Sequence, residues 1–289
     1  MKENKNIVLA CIDGSVLTDA VCDYAAWIAQ RVDAPLKLLH TIDHHHEKAV
    51  TTDLSGNIGL DTQDHLLENM AEQEQAESKI RLQHAKTVLT AAKERAMQAG
   101  IAEPLTRLQH GSLLESLAEI KQDIRVLVIG ARGKQHENQE NEIGAKIDSL
   151  IRSLHLPILV AYQAFKAPEQ IMIAYDGSEA ANKAVDMVAA SPLYKGLVCH
   201  LVCVSKKDNA DTLLEAAVSK LRAAGDIEII TANLQEGKAD EALCAYQSDH
   251  NIDMTIMGAF SHTRLHDILL GSFTHKMLLK TKKPLLLLR

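Results

Sequence analysis

Residues 7–15 read IVLACIDGS and residues 171–178 read IMIAYDGS, each a short apolar run that closes on Asp-Gly-Ser. Outward from these two stretches the chain repeats itself. IRVLVIGARG (124–133) is echoed by IDMTIMGAFS (252–261), and RLQHG (107–111) by NLQEG (233–237). IGAKIDSLIRSLHLPILV (143–160) is echoed by LGSFTHKMLLKTKKPLLLL (270–288). A repeat of this length means two copies of one folding unit. Asp13 and Asp176 stand 163 residues apart, but Pro157 and Pro284 only 127. The first copy therefore carries an insertion of about 36 residues inside 43–100, assigned to about 43–80. Two domains are expected, at 1–163 and 167–289, each long enough to bury its own core.

Strand and helix signals alternate through both copies. Strands are expected at about 5–11, 35–42, 104–109, 125–130 and 157–162, and again at about 170–175, 197–204, 227–235, 252–257 and 284–288. Helices fall between them, at about 17–32, 63–100, 112–122 and 144–155, then at about 179–190, 209–224, 238–249 and 270–281. Runs such as KLLHTI and RVLVIG are apolar throughout, as expected when helices cover both faces of a sheet. The fold class is therefore α/β, with two doubly wound five-stranded parallel-sheet domains. Ligands in such sheets bind outside the carboxyl ends of the strands, where the winding reverses. Asp-Gly-Ser after the first strand and Gly-x-x-Gly/Ser after the fourth would face one crevice if those strands are neighbours.

Composition narrows the partners. An apolar fraction of 46% beside 24% charged residues fits a soluble globular protein. A net charge of −7 and an aromatic share of 3% disfavour both a phosphate backbone and stacked single strands, so no nucleic acid is expected. No apolar run approaches the length of a membrane span, and MKENKN lacks the apolar core of a signal peptide. Five cysteines without metal-type spacing point to reduced thiols, and with them to the cytoplasm.

The sharpest chemistry lies in the second copy. Gly258-Ala259-Phe260-Ser261 is followed by nine residues and then by Gly271-Ser272-Phe273-Thr274, which opens a helix. Glycine admits close backbone approach, and a helix start offers free N–H groups with partial positive charge. Ser272 and Thr274 add hydroxyls, which makes an anion site suited to a polyphosphate, although it lacks the lysine of a P-loop. Either glycine alone would read as a turn residue and Ser272 as a helix cap. The joint pattern with Asp176 is what favours a ligand.

This pattern resembles the universal stress protein family, twice over in one chain. The family motif Gly-x-x-Gly, nine residues, Gly-Ser/Thr holds the phosphates and ribose of ATP in nucleotide-binding members, on an adenine nucleotide alpha hydrolase-like fold. The resemblance implies ATP or another adenine nucleotide, with Mg, as ligand. Asp176 and Gly258 would take the adenosine side, Cys203 and Met257 would line the base, and Gly271, Ser272, Phe273 and Thr274 would stand at the phosphates. Ser261 departs from the motif, because the family usually has a second glycine there. Cys203 also reads as an ordinary buried strand thiol.

The first copy keeps Asp13, Thr41, Gly130 and Gly133, but its phosphate end has decayed. Ten residues, KQHENQENEI, follow Gly133 and bring in three glutamates. Gly144 is then followed by Ala145 and Ile147 where the second copy has Ser272 and Thr274. Losing two hydrogen bonds to charged groups, at roughly 1.5–3 kcal/mol each, lowers affinity by on the order of 10² to 10⁴. The first site is thus expected to be weak or vestigial.

Three features remain. The long helix near 63–100 carries a partial apolar stripe at Leu66, Leu67, Met70, Ile80, Val88 and Leu89, and reads as a helix with one face laid on its domain ahead of a lid or a partner-docking arm. His44-His45-His46 invites a metal, but no cysteine or carboxylate cluster completes a site, so no metal is expected. PILVAY and PLLLLR close the two copies as apolar edge strands, which would be covered by pairing with each other. The chain would then be an intrachain pseudo-dimer, and two chains could pair further as a homodimer.

No Ser/His/Asp order, metal triad or Cys-His pair supports an enzyme beyond slow ATP hydrolysis assisted by Asp176. A stress-response module that binds ATP leads the readings. A weak ATPase and an interaction scaffold with a vestigial nucleotide site stand behind it.

Overall fold

The computed structural model describes residues 6–42, 60–131, 145–206, 210–223, 225, 227–258 and 272–288, with backbone alone at 60–71, 145, 146 and 148. Gly133, Gly144, Ser261, Gly271 and His44–His46 lie outside the described residues.

The first half contains β1 (Ile7–Cys11), α1 (Thr18–Arg31), β2 (Leu36–Ile42), α2 (Leu60–Gln98), β3 (Leu105–His110), α3 (Leu113–Ile120), β4 (Ile124–Gly130), α4 (Ala145–Ser153) and β5 (Ile158–Ala161). The second contains β6 (Gln170–Ala174), α5 (Glu179–Ala190), β7 (Val198–Val204), α6 (Ala210–Ala223), β8 (Glu228–Leu234), α7 (Ala239–Asp249), β9 (Met254–Gly258), α8 (Ser272–Lys280) and β10 (Leu285–Leu288). Every strand and helix expected from the sequence is present in this α/β alternation.

All ten strands join one sheet in the order β3-β2-β1-β4-β5-β10-β9-β6-β7-β8. Neighbours run parallel within each half. At the seam β5 and β10 pair antiparallel, Leu285 opposite Val160 and Leu287 opposite Ile158. The two most apolar closing strands thus cover each other. The strands left at the outer edges, β3 and β8, carry the more polar LTRLQH and EIITANL, a safer composition for open backbone groups. The winding reverses between β1 and β4, and again between β6 and β9, because each pair is adjacent in the sheet.

Period-two alternation divides the side chains between two apolar layers. On one face Ile171, Ile173, Cys199, Leu201, Met254 and Ile256 meet α5 and α6, as Val8, Ala10 and Leu38 meet α1 and α2. On the other face Met172, Ala174, Val202, Met257, Leu285 and Leu287 pack with α7 and α8, as Leu9, Leu39, Leu127 and Ile129 pack with α3 and α4. Both layers run across the seam without a break.

The insertion helix α2 packs through the last part of the expected stripe, Leu89 in the core and Val88 against it, extended by alanines that the expectation did not include. Its buried positions are Ala85, Leu89, Ala92 and Ala96, spaced for one helical face and small enough to sit close on the sheet and α1. Ile80 is 68% exposed, and the stretch from Glu72 to Ile80 lies in solvent. The side chains of Leu66, Leu67 and Met70 lie outside the described residues. Arg95 on α2 fixes the helix to α1 through a two-pronged bond to the buried Asp23, at 2.9 and 2.6 Å.

Candidate functional site

At the end of β6 the backbone turns through Asp176-Gly177-Ser178 into α5. Asp176 Oδ1 accepts the Ser178 N–H at 2.9 Å, an Asx turn. Gly177 sits at φ +75°, where a side chain would be strained, and Ser178 Oγ accepts the Ala181 N–H at 3.1 Å to cap α5. Asn182 locks the turn: its Nδ2 donates to the Gly177 and Ser178 carbonyls at 3.0 Å each, while Tyr175 OH donates to its Oδ1 at 2.9 Å. The carboxylate of Asp176 is left exposed on the rim.

Beside this turn, at the carboxyl ends of β6, β7 and β9, lies a cavity of about 290 Å³. Ala174, Tyr175, Asp176, Ser178 and Ala181 form one wall. Val202 and Val204 come from β7, Met257 and Gly258 from β9, Ala239 and Leu243 from α7, and Phe273 from the first turn of α8. The chamber is mostly apolar with a carboxylate and hydroxyl at its mouth, the usual composition of a small-molecule site. Its place is the point where the winding reverses.

Of the residues proposed from sequence for the second copy, Asp176, Met257, Gly258 and Phe273 meet on this cavity. Ser272 is exposed at the first residue of α8, and Thr274, two residues further on, is buried. Cys203 is a correction. Its side chain belongs to the opposite layer, 2% exposed among the residues facing α5 and α6, where burial first, then Asp176 and Asp211, push its thiol pKa up. Its neighbours Val202 and Val204 occupy the wall instead, since successive strand residues point to opposite faces. The sequence held the signal: 163 residues, the Asp13–Asp176 spacing, also separate Thr41 from Val204. Ala239 and Leu243 were missed altogether, because nothing in the spacing said that α7 reaches over the strand ends.

Gly258 has a use beyond any ligand. A Cβ there would stand 2.7 Å from both the carbonyl carbon and the Cβ of Ala180. The start of α5 lies directly on the end of β9, and only glycine leaves room.

The remaining wall is braced by charge. Lys280 near the end of α8 reaches Asp240 Oδ2 at 2.5 Å and Glu241 Oε1 at 3.2 Å in the first turn of α7. Its hydrogen bond holds the Asp240 carboxyl below the ordinary range. The two helices that flank the cavity are therefore tied to each other.

In the first half, Asp13 and Gly14 repeat the turn, with Oδ1 accepting the Ser15 N–H at 3.0 Å and Gly14 at φ +75°. The helix after it differs. Leu17 precedes α1 without a side-chain cap, where Ser178 caps α5. Asp13 is exposed, Thr41 is half-buried near the end of β2, and Gly130 ends β4 beside β1. A second cavity, about 240 Å³, lies on the α1/α5 side of the seam between Val126, Met187, Tyr194 and Leu286, remote from either Asp-Gly-Ser turn.

Fold and crevice together define a pair of doubly wound α/β units fused edge to edge, with a chamber at the switch point of the second. The universal stress protein family model matches residues 5–161 and again 168–289. The chain belongs to the universal stress protein family, with two copies of the family unit in tandem. A universal stress protein of Synechocystis sp. is 35% identical over 99% of this chain and all of its own length. The crystal structure of a universal stress protein from Archaeoglobus fulgidus shares the whole architecture, with a TM-score of 0.70, 17% identity and 99% of each chain covered. A universal stress protein determined in complex with cAMP matches 43% of this chain and 98% of its own, at 20% identity and a TM-score of 0.37.

Proposed function

We propose that the protein is a regulatory module of the stress response that binds ATP or another adenine nucleotide in its second domain (167–289), while the first (1–163) serves as its fused partner. The observation that carries this reading is the cavity of about 290 Å³ at the β6/β9 switch point. Its lining fits the group. Val202, Val204, Leu243, Met257 and Phe273 offer apolar walls to a base, and Asp176 at the rim can accept from ribose hydroxyls. The volume suits the nucleoside, so phosphates would lie outward, toward the exposed Ser272 and the N–H groups at the start of α8. Gly271 and Ser261 are proposed to complete that end, with Mg on the phosphates. Asp176 Oδ1 is engaged by the Ser178 N–H in the turn, a positioning role, and binding rather than hydrolysis is the activity proposed.

A second reading, an interaction scaffold with a vestigial nucleotide site, is favoured by one set of facts. Asp176, Gly177, Ser178 and Gly258 are all employed in turning the chain and seating α5. The two readings part on one experiment: small molecules released by denaturing freshly purified protein are weighed by mass spectrometry, and ATP–Mg²⁺ is titrated calorimetrically. An adenine nucleotide in the first, or saturable binding in the second, supports the module. Neither overturns it in favour of the scaffold.

A further inference from the structure

Three alanines line the second half's cavity: Ala174 on β6, Ala181 on α5 and Ala239 on α7. The repeat pairs them with Cys11, Thr18 and Leu113, each larger than alanine. Val202, on the same wall, is paired with Leu39. Elsewhere in the lining, Asp176, Ser178, Leu243 and Gly258 are unchanged in the first half, and Tyr175 is paired with the smaller Ile12.

The larger side chains are put to use there. Leu39 is 1% exposed, in the same apolar layer as Leu117, Ile129 and Ile147, and Cys11, Leu17 and Leu113 pack against that layer. These are the first-half partners of the cavity wall: Leu117 answers to Leu243 and Ile129 to Met257. Ile147 answers to Thr274, so the start of α4 adds an apolar plug where α8 begins with hydroxyls. Burial pushes the Cys11 thiol pKa up, as expected of a sulfur packed into this layer. Thr18 Oγ1 is buried and, among the described residues, has no hydrogen-bond partner.

From this substitution pattern we infer that the first crevice is filled by its own side chains, Cys11, Leu39 and Leu113 foremost, so that the chain holds one nucleotide rather than two. The inference rests on the nucleotide reading of the second crevice and names the residues that confine it there. Filling acts at the nucleoside end, independently of the lost hydroxyls at Ala145 and Ile147. It therefore excludes even a ligand with a single phosphate.

AMP, titrated calorimetrically into the full chain, tests this. The wild type binds one AMP per chain. Cys11→Ala/Leu39→Val/Leu113→Ala binds two, the second more weakly. Ala174→Cys/Ala239→Leu, which builds the plug into the second crevice, weakens AMP at least tenfold. Thermal melts of each variant within a few degrees of wild type establish that the sites, not the fold, have changed. A wild type that binds two AMP overturns the plug and leaves the nucleotide reading standing. A folded opening variant that still binds one, or a folded plugging variant with unchanged affinity, also overturns the plug. Where AMP does not bind, the same proteins are titrated with ATP–Mg²⁺ and read by the same counts, and a wild type that binds neither overturns the nucleotide reading and the plug with it.

Discussion

Gly258→Ala separates packing from ligand approach at the residue that both explanations need. Gly258 is not among the glycines at positive φ, so an alanine there meets no backbone strain. The obstacle is space. The new methyl would lie 2.7 Å from the carbonyl carbon and Cβ of Ala180 and 2.9 Å from its carbonyl oxygen. Ordinary carbon–carbon contact is about 3.5–4.0 Å, so the overlap is close to 1 Å. Ala180 belongs to the first turn of α5, held by the Ser178 cap and the Asn182 bridges, and has no rotamer by which to retreat. Either α5 or β9 must shift. Overpacking of this kind costs about 1–3 kcal/mol, which is several degrees in melting temperature. Urea unfolding followed by circular dichroism reads the loss, and AMP titration on the same sample reads the crevice. The expected outcome is lowered stability together with weakened binding, because Gly258 also lines the cavity. An alanine variant as stable as wild type would refute the packing argument. If that stable variant also lost nucleotide, the glycine would be there for the ligand.

Three further outcomes follow from polar groups around the second half. Asp253 is 5% exposed at the start of β9; burial pushes its pKa up, but bonds from Lys166 and from the Glu169 and Gln170 N–H groups outweigh this and hold it below the ordinary range. A depressed folded pKa gives stability that is present above the unfolded value of about 3.9 and lost as pH falls through the folded one; Asp253→Ala should cost about 1.5–3 kcal/mol at pH 7 and flatten the acid limb of the urea midpoint below about pH 4. His200, buried on β7 with Nδ1 at 2.9 Å from Tyr246 OH and Nε2 at 3.1 Å from Gln170 Oε1, has its pKa lowered by burial first and by His250 second, against a smaller upward pull from Glu228. The unfolded chain then takes up the proton more readily, so stability should fall as pH drops below about 6.5, and His200→Gln should remove that fall in urea midpoints compared at pH 7.5 and 5.5. Lys280→Met cuts α8 from α7, and a few-fold loss of AMP affinity that Lys280→Arg restores is expected; unchanged affinity in the methionine variant would show that the brace does not shape the crevice.

The fold was legible because the chain states it twice. Two apolar runs ending in Asp-Gly-Ser, 163 residues apart, gave the strand ends, and PILVAY with PLLLLR gave the seam, since edges that apolar need partners. The crevice was half legible. Asp176 and Gly258 announce themselves by type, whereas Val202 and Val204 are ordinary strand residues that become a wall only by facing α7. Cys203 and Val204 are one residue apart, and on a strand one residue is a change of face. On α2 Val88 and Leu89 were legible, but the rest of the packed stripe was not. Alanines at 85, 92 and 96 carry little apolar signal, yet they are what lets the helix lie close. The plug was hidden because cysteine, leucine and threonine look unremarkable until their alanine partners are seen around a cavity.

A filled first crevice does not make the first copy idle, because the ties across the seam end on the elements that frame the second crevice. Tyr162 OH, just past β5, donates at 2.8 Å to the Leu278 carbonyl in the last turn of α8, where carbonyls lack helical partners. Arg31 of α1 donates through Nε to the Leu193 carbonyl at 2.7 Å and through Nη2 to the Lys195 carbonyl, holding the segment that follows α5. Tyr24 of α1 meets Phe165 of the connecting segment edge to face at 4.8 Å, and the next residue, Lys166, reaches Asp253 at the start of β9. β5 itself pairs with β10, which in turn pairs with β9, the strand that ends on Gly258. The first copy thus braces α5, α8 and β9 from one side while α7 braces α8 from the other. Cys11, Leu39 and Leu113 serve the first copy's apolar layer, which continues across that seam. A filled crevice beside an open one gives the open chamber a rigid, covalently attached support, which is a physical reason for the asymmetry between two halves of one fold.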